Sequence, residues 1–275
     1  MPRRPHETSG GRIQDAGRRM IRDLHRVLYS RGLPRKVGVY LHTLPEADYE
    51  RFRAMVAYFR QCGYRVAVGP DDFLGEADEP VLWISFDDCF RHWYNARQLF
   101  DDLDVRATFY VNTCAFRDVA TDEAIRCYLE DALGVDPALE TLTTAELRIL
   151  HEDGHTIGAH THSHPVMTSL PFEEAVAEIR TNKELLEELL EDPVHHFAYP
   201  FGMRRYFSNS LSEACKELDL RTVARAIPAL LHTGQGPAEL NRSGWDYSKS
   251  LEENVALLAI DGSRFERLTG HSAVG

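Results

Sequence analysis

Val81-Leu82-Trp83-Ile84-Ser85-Phe86 is an almost unbroken apolar run, and it ends on two adjacent carboxylates, Asp87 and Asp88, followed by Cys89. A strand with one wet face alternates apolar and polar residues. A run without alternation is what a strand covered on both faces requires, as in a parallel sheet flanked by helices. Upstream, residues 37–41 read as a strand, 47–63 as a helix and 64–68 as a short strand. The helix carries Phe52, Met55, Val56 and Phe59 on one face. Residues 16–30 show amphipathic helical spacing, and 1–15 form a polar tail expected to be disordered.

Downstream the alternation continues. A helix is expected over 93–103 and a strand over 107–111, then an insertion with its own helical stretch over 117–140. A Thr-capped helix follows at 144–152 and a strand at 156–159. The long helix 171–190 stops before Pro193 and leads to a strand at 197–199. A helix at 210–218, a strand at 222–226 and a last helical segment within 251–268 complete the chain. Strand–helix units without a long linker predict one parallel α/β domain over 16–275, either a closed barrel or an open sheet. In both, chemistry gathers at the C-terminal ends of strands. Asp87–Asp88, the segment His160-Thr161-His162-Ser163-His164 and the turn Tyr199-Pro200-Phe201-Gly202 each follow a strand, so all three should meet on one face.

The bulk composition is that of a globular protein: 275 residues, 43% hydrophobic and 27% charged. A net charge of −12 opposes general nucleic-acid binding. No apolar run reaches the 18 or so residues of a membrane span. The five cysteines form no CxxC pair and leave one over, which suits reduced thiols. No apolar segment follows the basic N-terminal residues as in a signal peptide, so the expected location is cytoplasmic.

His160 and His164 are four apart, but His164 precedes Pro165, and the residue before proline avoids the α region. The pair therefore belongs to a strand end that curls into a turn, not to a helical HExxH zinc site. Successive residues of a strand face opposite ways, so Asp87 and Asp88 must have different jobs. One can ligate a metal while the other serves as base, the division a metal-assisted hydrolase needs. Strand ends are also a common place for Asp, and histidines cluster in polar loops without binding anything.

Together these segments resemble the polysaccharide deacetylase family, metal-dependent carbohydrate esterases of the chitooligosaccharide-deacetylase type. Ser85-Phe-Asp-Asp-Cys89 stands for the family's TFDDG-like strand end. His160-Thr-His-Ser-His164 stands for H(S/T)xxH behind Gly154-His-Thr-Ile-Gly158, and Phe197-Ala-Tyr-Pro-Phe-Gly202 for its Pro-aromatic-Gly turn. The resemblance implies a single distorted (β/α)7–8 barrel. It further implies Asp87 as catalytic base, and Asp88, His160 and His164 as ligands of Zn2+ or another divalent ion such as Co2+, Ni2+ or Mn2+. His162 lies inside the motif without being a ligand. The turn Tyr199–Gly202 would line the substrate, with the Phe201 N–H helping to hold the oxyanion.

Three departures stand out. Cys89 replaces glycine after the Asp pair, as a structural filler or an extra soft ligand. Ala198 stands where many members carry an arginine that orients the base. Arg242 is the substitute, with Trp245 lining the pocket; a surface arginine near a core tryptophan is the plain alternative. The family's Leu-x-His acid motif is matched in letters by Leu230-Leu-His232 but too early in the chain, and His42, after the first strand, is the other candidate acid.

The reading is a deacetylase that hydrolyses an acetyl group, chiefly N-acetyl, on a small glycan or glycoconjugate such as an intracellular precursor. Two rivals keep the barrel: a C–N hydrolase of a non-sugar amide or cyclic imide, and a non-catalytic glycan-binding protein.

Overall fold

The computed structural model describes residues 32–227, 237 and 239–259. The expected tail 1–15, the helical stretch 16–30 and His232 lie outside them. The strands are β1 (Lys36–Leu41), β2 (Arg65–Val66), β3 (Val81–Asp88), β4 (Thr108–Val111), β5 (Thr156–Ala159) and β6 (His196–Ala198), then β7 (Thr222–Arg225), β8 (Leu240–Asn241) and β9 (Ser243–Gly244). The sheet runs β8-β7-β6-β5-β4-β3-β1-β9, with every pairing parallel. β2 borders the start of β3 and β4 its end. A single residue, Arg242, separates β8, which pairs with β7, from β9, which pairs with β1. The two ends of the sheet are thus one continuous piece of chain, and the sheet closes into a barrel.

The apolar run of β3 is buried at every position, as a strand covered on both faces must be. Alternate residues enter two separate cores. Trp83 packs inside the barrel with Tyr110, Ala198, Ala224 and Leu240. Leu82, Ile84 and Phe86 pack outward against the helices. Small residues opposite large ones fill the interior: a Cβ on Gly158 would lie 2.5 Å from the Tyr110 ring, so β5 needs glycine there.

The surrounding helices are α1 (Tyr49–Gln61), α2 (Pro70–Leu74), α3 (His92–Asn95), α4 (Arg97–Asp102) and α5 (Asp122–Cys127), which runs into a π turn at Tyr128–Leu133. They continue with α6 (Thr144–Glu152), α7 (Phe172–Leu190), α8 (Asn209–Glu217) and α9 (Leu251–Leu258). α1 buries the expected face, Phe52, Met55, Val56 and Phe59. α6 starts on a capping box: Thr143 Oγ1 accepts from the Glu146 N–H at 3.1 Å, and Glu146 Oε2 accepts from the Thr143 N–H at 3.0 Å. Glu146 Oε1 also receives Arg91 and Arg117, at 2.8 and 2.9 Å.

The expected helix 93–103 is two helices broken at Ala96, where ψ is 4°. Trp93 donates its indole N–H to the His42 carbonyl at 2.7 Å, tying α3 to the end of β1 independently of α4. α2 and the β8–β9 segment carry no signal in the apolar pattern, since each is short and the second is polar.

His155 lies between the edges of Phe100 and Phe109, at 5.2 and 5.1 Å, and its Nδ1 accepts the Ala107 N–H at 3.1 Å. Burial, and then the Arg106 charge, push its pKa down to about 4, below the ordinary 6.5. The native ring is neutral, so its contribution is complete above pH 6.5 and declines as pH falls from 6.5 toward 4. At ~1.4 kcal/mol per pKa unit this amounts to a few kcal/mol at most. His155→Gln keeps an acceptor and does not titrate. It should flatten that part of the acid limb in urea unfolding at stepped pH; an unchanged limb would assign the loss to other groups.

Candidate active site at the C-terminal mouth of the barrel

β3 delivers Asp87 and Asp88 to the mouth and turns them apart. Asp87 points to Arg242, whose guanidinium grips it with two bonds, Nη1 to Oδ1 at 2.6 Å and Nη2 to Oδ2 at 2.9 Å. Nη1 also donates to Ser85 Oγ at 2.9 Å, and that hydroxyl donates onward to the Val39 carbonyl. Arg242 has no exposed surface. Its charge faces the rings of Tyr110, Tyr40 and Trp83, at 5.0, 5.1 and 5.9 Å. Burial alone would raise the Asp87 pKa, but the charge and the hydrogen bonds of Arg242 outweigh it and hold the carboxyl below its ordinary value.

Asp88, at φ 90°, turns its carboxylate to the histidine loop. Its Oδ1 lies 3.7 Å from His160 Nε2 and 3.5 Å from His164 Nε2. One ligand atom from each of the three residues falls within 4.8 Å of the others, and all three side chains are buried. These contacts are not ion pairs, because burial pushes His160 to about 4 and His164 to about 3, leaving both imidazoles neutral. His160 Nδ1 donates to the Ala198 carbonyl at 2.7 Å, which leaves a lone pair on Nε2 facing the carboxylate. Asp88 Oδ1 is buried with no hydrogen-bond partner, and burial raises its pKa to about 7. Two imidazole nitrogens and a carboxyl oxygen that finds no hydrogen-bond partner converge here, a donor set that a divalent cation fits.

The loop after β5 is not helical. Thr161 and His164 sit at φ 68° and 59°, in the left-handed region. For residues with a side chain this costs of the order of 1–3 kcal/mol each, and it persists where surrounding bonds impose it. Thr161 Oγ1 accepts the His164 N–H at 3.1 Å. His162 turns away to Thr113 Oγ1 at 2.9 Å and is outside the cluster.

The other expected residues divide. Cys89 is fully buried in the apolar core outside the barrel, and burial drives its thiol pKa far up; it is a filler. The glycine-like backbone falls on Asp88 and not on Cys89, so a side chain at 89 is accommodated. Phe201, at φ 62°, lays its half-exposed ring against His164 at 4.8 Å. Gly202 follows at φ 57°, and a Cβ there would meet Ala226 N at 2.4 Å. Pro200 is buried beneath this turn. The Tyr199 ring packs in the core against Phe197 and Phe207, so only its backbone belongs to the turn.

Trp245 is mostly buried against Phe59, and it lines a cavity of about 530 Å³ together with Tyr40, His42, Asp48 and Tyr247. His42 stands exposed on the rim of the mouth, close to Asp87, Asp88, His160 and His164. Sequence reasoning missed Ser85 as a partner of Arg242, and it missed the buried amides Asn112 and Asn182. Asn182 had a signal: it is a polar residue within the apolar stripe Ala175, Ile179, Leu186 of α7.

Comparison with known proteins agrees with this architecture. The Streptococcus pyogenes deacetylase PplD, solved in complex with acetate, superposes with a TM-score of 0.64 at 18% identity, over 82% of this chain and 97% of its own. IcaB from Ammonifex degensii gives 0.64 at 17% identity, over 81% and 96%. BC0361, a polysaccharide deacetylase from Bacillus cereus, gives 0.60 at 16% identity, over 83% and 69%. No curated protein sequence matches the chain. The polysaccharide deacetylase family model matches residues 75–223. That is more than half of the 275 residues, and the chain belongs to this family.

Proposed function

We propose that the protein is a metal-dependent deacetylase that hydrolyses an acetyl group, chiefly N-acetyl, on a sugar or glycoconjugate. The observation that carries this reading is the adjacency of two differently wired carboxylates: Asp87 held ionised by Arg242, and Asp88 facing two neutral imidazoles. Asp88, His160 and His164 would hold the ion, and their mixed nitrogen and oxygen set suits zinc, with cobalt, nickel or manganese as alternatives. When bound, such an ion supplies Lewis acidity toward the acetyl carbonyl and makes water a better nucleophile at neutral pH.

The remaining work falls to the chain. Asp87 Oδ takes the proton of the attacking water, and Arg242 keeps this carboxylate charged and oriented. The Phe201 N–H, fixed by the Gly202 turn, donates to the oxygen that gains charge. His42 on the rim gives a proton to the leaving nitrogen. Acetate and a free amine result, without an acyl-enzyme. The cavity beside His42 is where the rest of the glycan would lie. All five cysteines are unpaired, which suits a reducing compartment and an intracellular acetylated precursor as substrate. Among the described residues, no helix is long and apolar enough to cross a membrane.

The test is elemental analysis beside acetate release from a panel of N-acetylated sugars. Wild type should carry about one divalent ion per chain, the count a single three-ligand site sets. Asp88→Ala and His160→Ala should carry none and release no acetate, and chelation of the wild type should abolish release until zinc is restored. A protein that takes up no metal, yet binds sugars, would be a binding barrel. Turnover of small amides alone would select the non-sugar C–N hydrolase.

A further inference from the structure

Every polar group of His160 other than Nε2 is held by a fixed partner. Its N–H donates to Asn182 Oδ1 at 2.8 Å, and its carbonyl accepts from Asn112 Nδ2 at 2.5 Å. The same Nδ2 reaches the Thr161 carbonyl at 3.0 Å. Nδ1 is engaged by Ala198, as described. Both asparagines are fully buried, and neither belongs to the cluster of Asp88, His160 and His164. We infer that Asn112 and Asn182 are positioning residues that set the affinity of that cluster for its cation, by clamping the main chain of His160 from both sides. The inference rests on the metal reading above.

The two amides are themselves locked. Asn182 Nδ2 donates to the Val111 carbonyl at 3.0 Å and to Thr113 Oγ1 at 3.1 Å. Asn112 Oδ1 accepts the Tyr128 hydroxyl at 2.8 Å. Each amide thus has oxygen acceptors on its NH2 side and an N–H or O–H donor on its oxygen side, which fixes its orientation. A chain of bonds therefore runs from α7 and the Tyr128 turn, through the end of β4, to the first metal-facing histidine.

The clamp sits where the backbone needs imposing. Thr161 follows at φ 68°, a conformation that a β-branched residue does not adopt unaided. One helical turn before Asn182, Glu178 accepts from both Ser163 N–H and Ser163 Oγ at 2.8 Å, which steadies the far side of the same loop. A leucine would pack the α7 stripe between Ile179 and Leu186 as well as asparagine does, so the amide is explained by what it bonds, not by what it fills. Outer contacts of this kind orient a ligand, and their removal typically weakens metal binding by about 10- to 100-fold.

The experiment is a zinc titration by competition with a chelating dye, on metal-stripped protein that is folded by circular dichroism. Asn182→Leu preserves volume without the bonds, and Asn182→Ser is polar but too short to reach His160. Either should bind zinc about 10- to 100-fold more weakly than wild type. Ile179→Ala, from the same buried stripe, is the control for general loosening: it should lower the unfolding midpoint and leave zinc affinity within about threefold, because it removes no bond to the loop. Zinc affinity of both Asn182 variants within threefold of wild type would overturn the inference. So would an equal loss in Ile179→Ala. Wild type that binds no zinc would instead overturn the metal reading, a different result.

Discussion

Arg242→Leu should destabilise the protein by about 3–5 kcal/mol and remove most of its turnover, because it strands a buried carboxylate. Asp87 is 4% exposed and Arg242 not at all, so water cannot take over the lost partner. The Ser85 hydroxyl, now shared between Arg242 and the Val39 carbonyl, loses its cationic neighbour as well. Urea unfolding of the metal-stripped protein reads the stability, and acetate release reads the activity. The double variant Asp87→Leu with Arg242→Leu should recover much of the stability and none of the activity, since paired apolar replacements remove the desolvation penalty. A loss below about 1 kcal/mol for Arg242→Leu, the scale of an exposed ion pair, would mean that this pair is solvated in solution.

Asp87→Asn separates chemistry from metal binding. The amide keeps the shape, still accepts from Arg242 at one atom, and cannot take a proton. Turnover should fall by about 10²- to 10⁴-fold, the range for removal of a general base. Metal content should remain at the wild-type level, because the ion is assigned to Asp88, His160 and His164 and not to Asp87. His42→Gln should likewise lower turnover on acetamides with metal retained, with less effect on an aryl acetate, whose leaving group needs no proton. Equal loss on both substrates would remove His42 from the role of acid. Metal lost along with activity in Asp87→Asn would mean that the two carboxylates share the ion.

Much of this arrangement was legible before any coordinates. The apolar run 81–86 specified a strand covered on both faces, and β3 is buried throughout. The proline after His164 excluded a helical zinc site, and the loop is indeed non-helical there. Strand alternation separated Asp87 from Asp88, and the structure sends them to different partners. The resemblance offered Arg242 for the arginine absent at Ala198, with a surface arginine as the plain alternative, and the structure pairs it with Asp87. What the sequence hid was long-range or short. β8 and β9 are two residues each, too brief for periodicity to register. The roles of Ser85, Asn112 and Asn182 depend on partners between 16 and 157 positions away, which no local pattern encodes. Beside the break at Ala96, Trp93 is tied to His42 across 51 positions, a contact that composition does not announce.

The closure of the barrel through residue 242 also has a consequence in time. Asp87 and its guanidinium are 155 positions apart in the chain. At ribosomal rates of about 5–20 residues per second, the carboxylate exists for roughly 8–30 s before its partner is made. During that interval a nascent chain goes from three strands to eight, with no means of burying Asp87 without a stranded charge. The growing half-barrel must keep its mouth in water or in the care of a chaperone, and the last step of assembly, the arrival of one arginine, is also the step that prepares the site for chemistry.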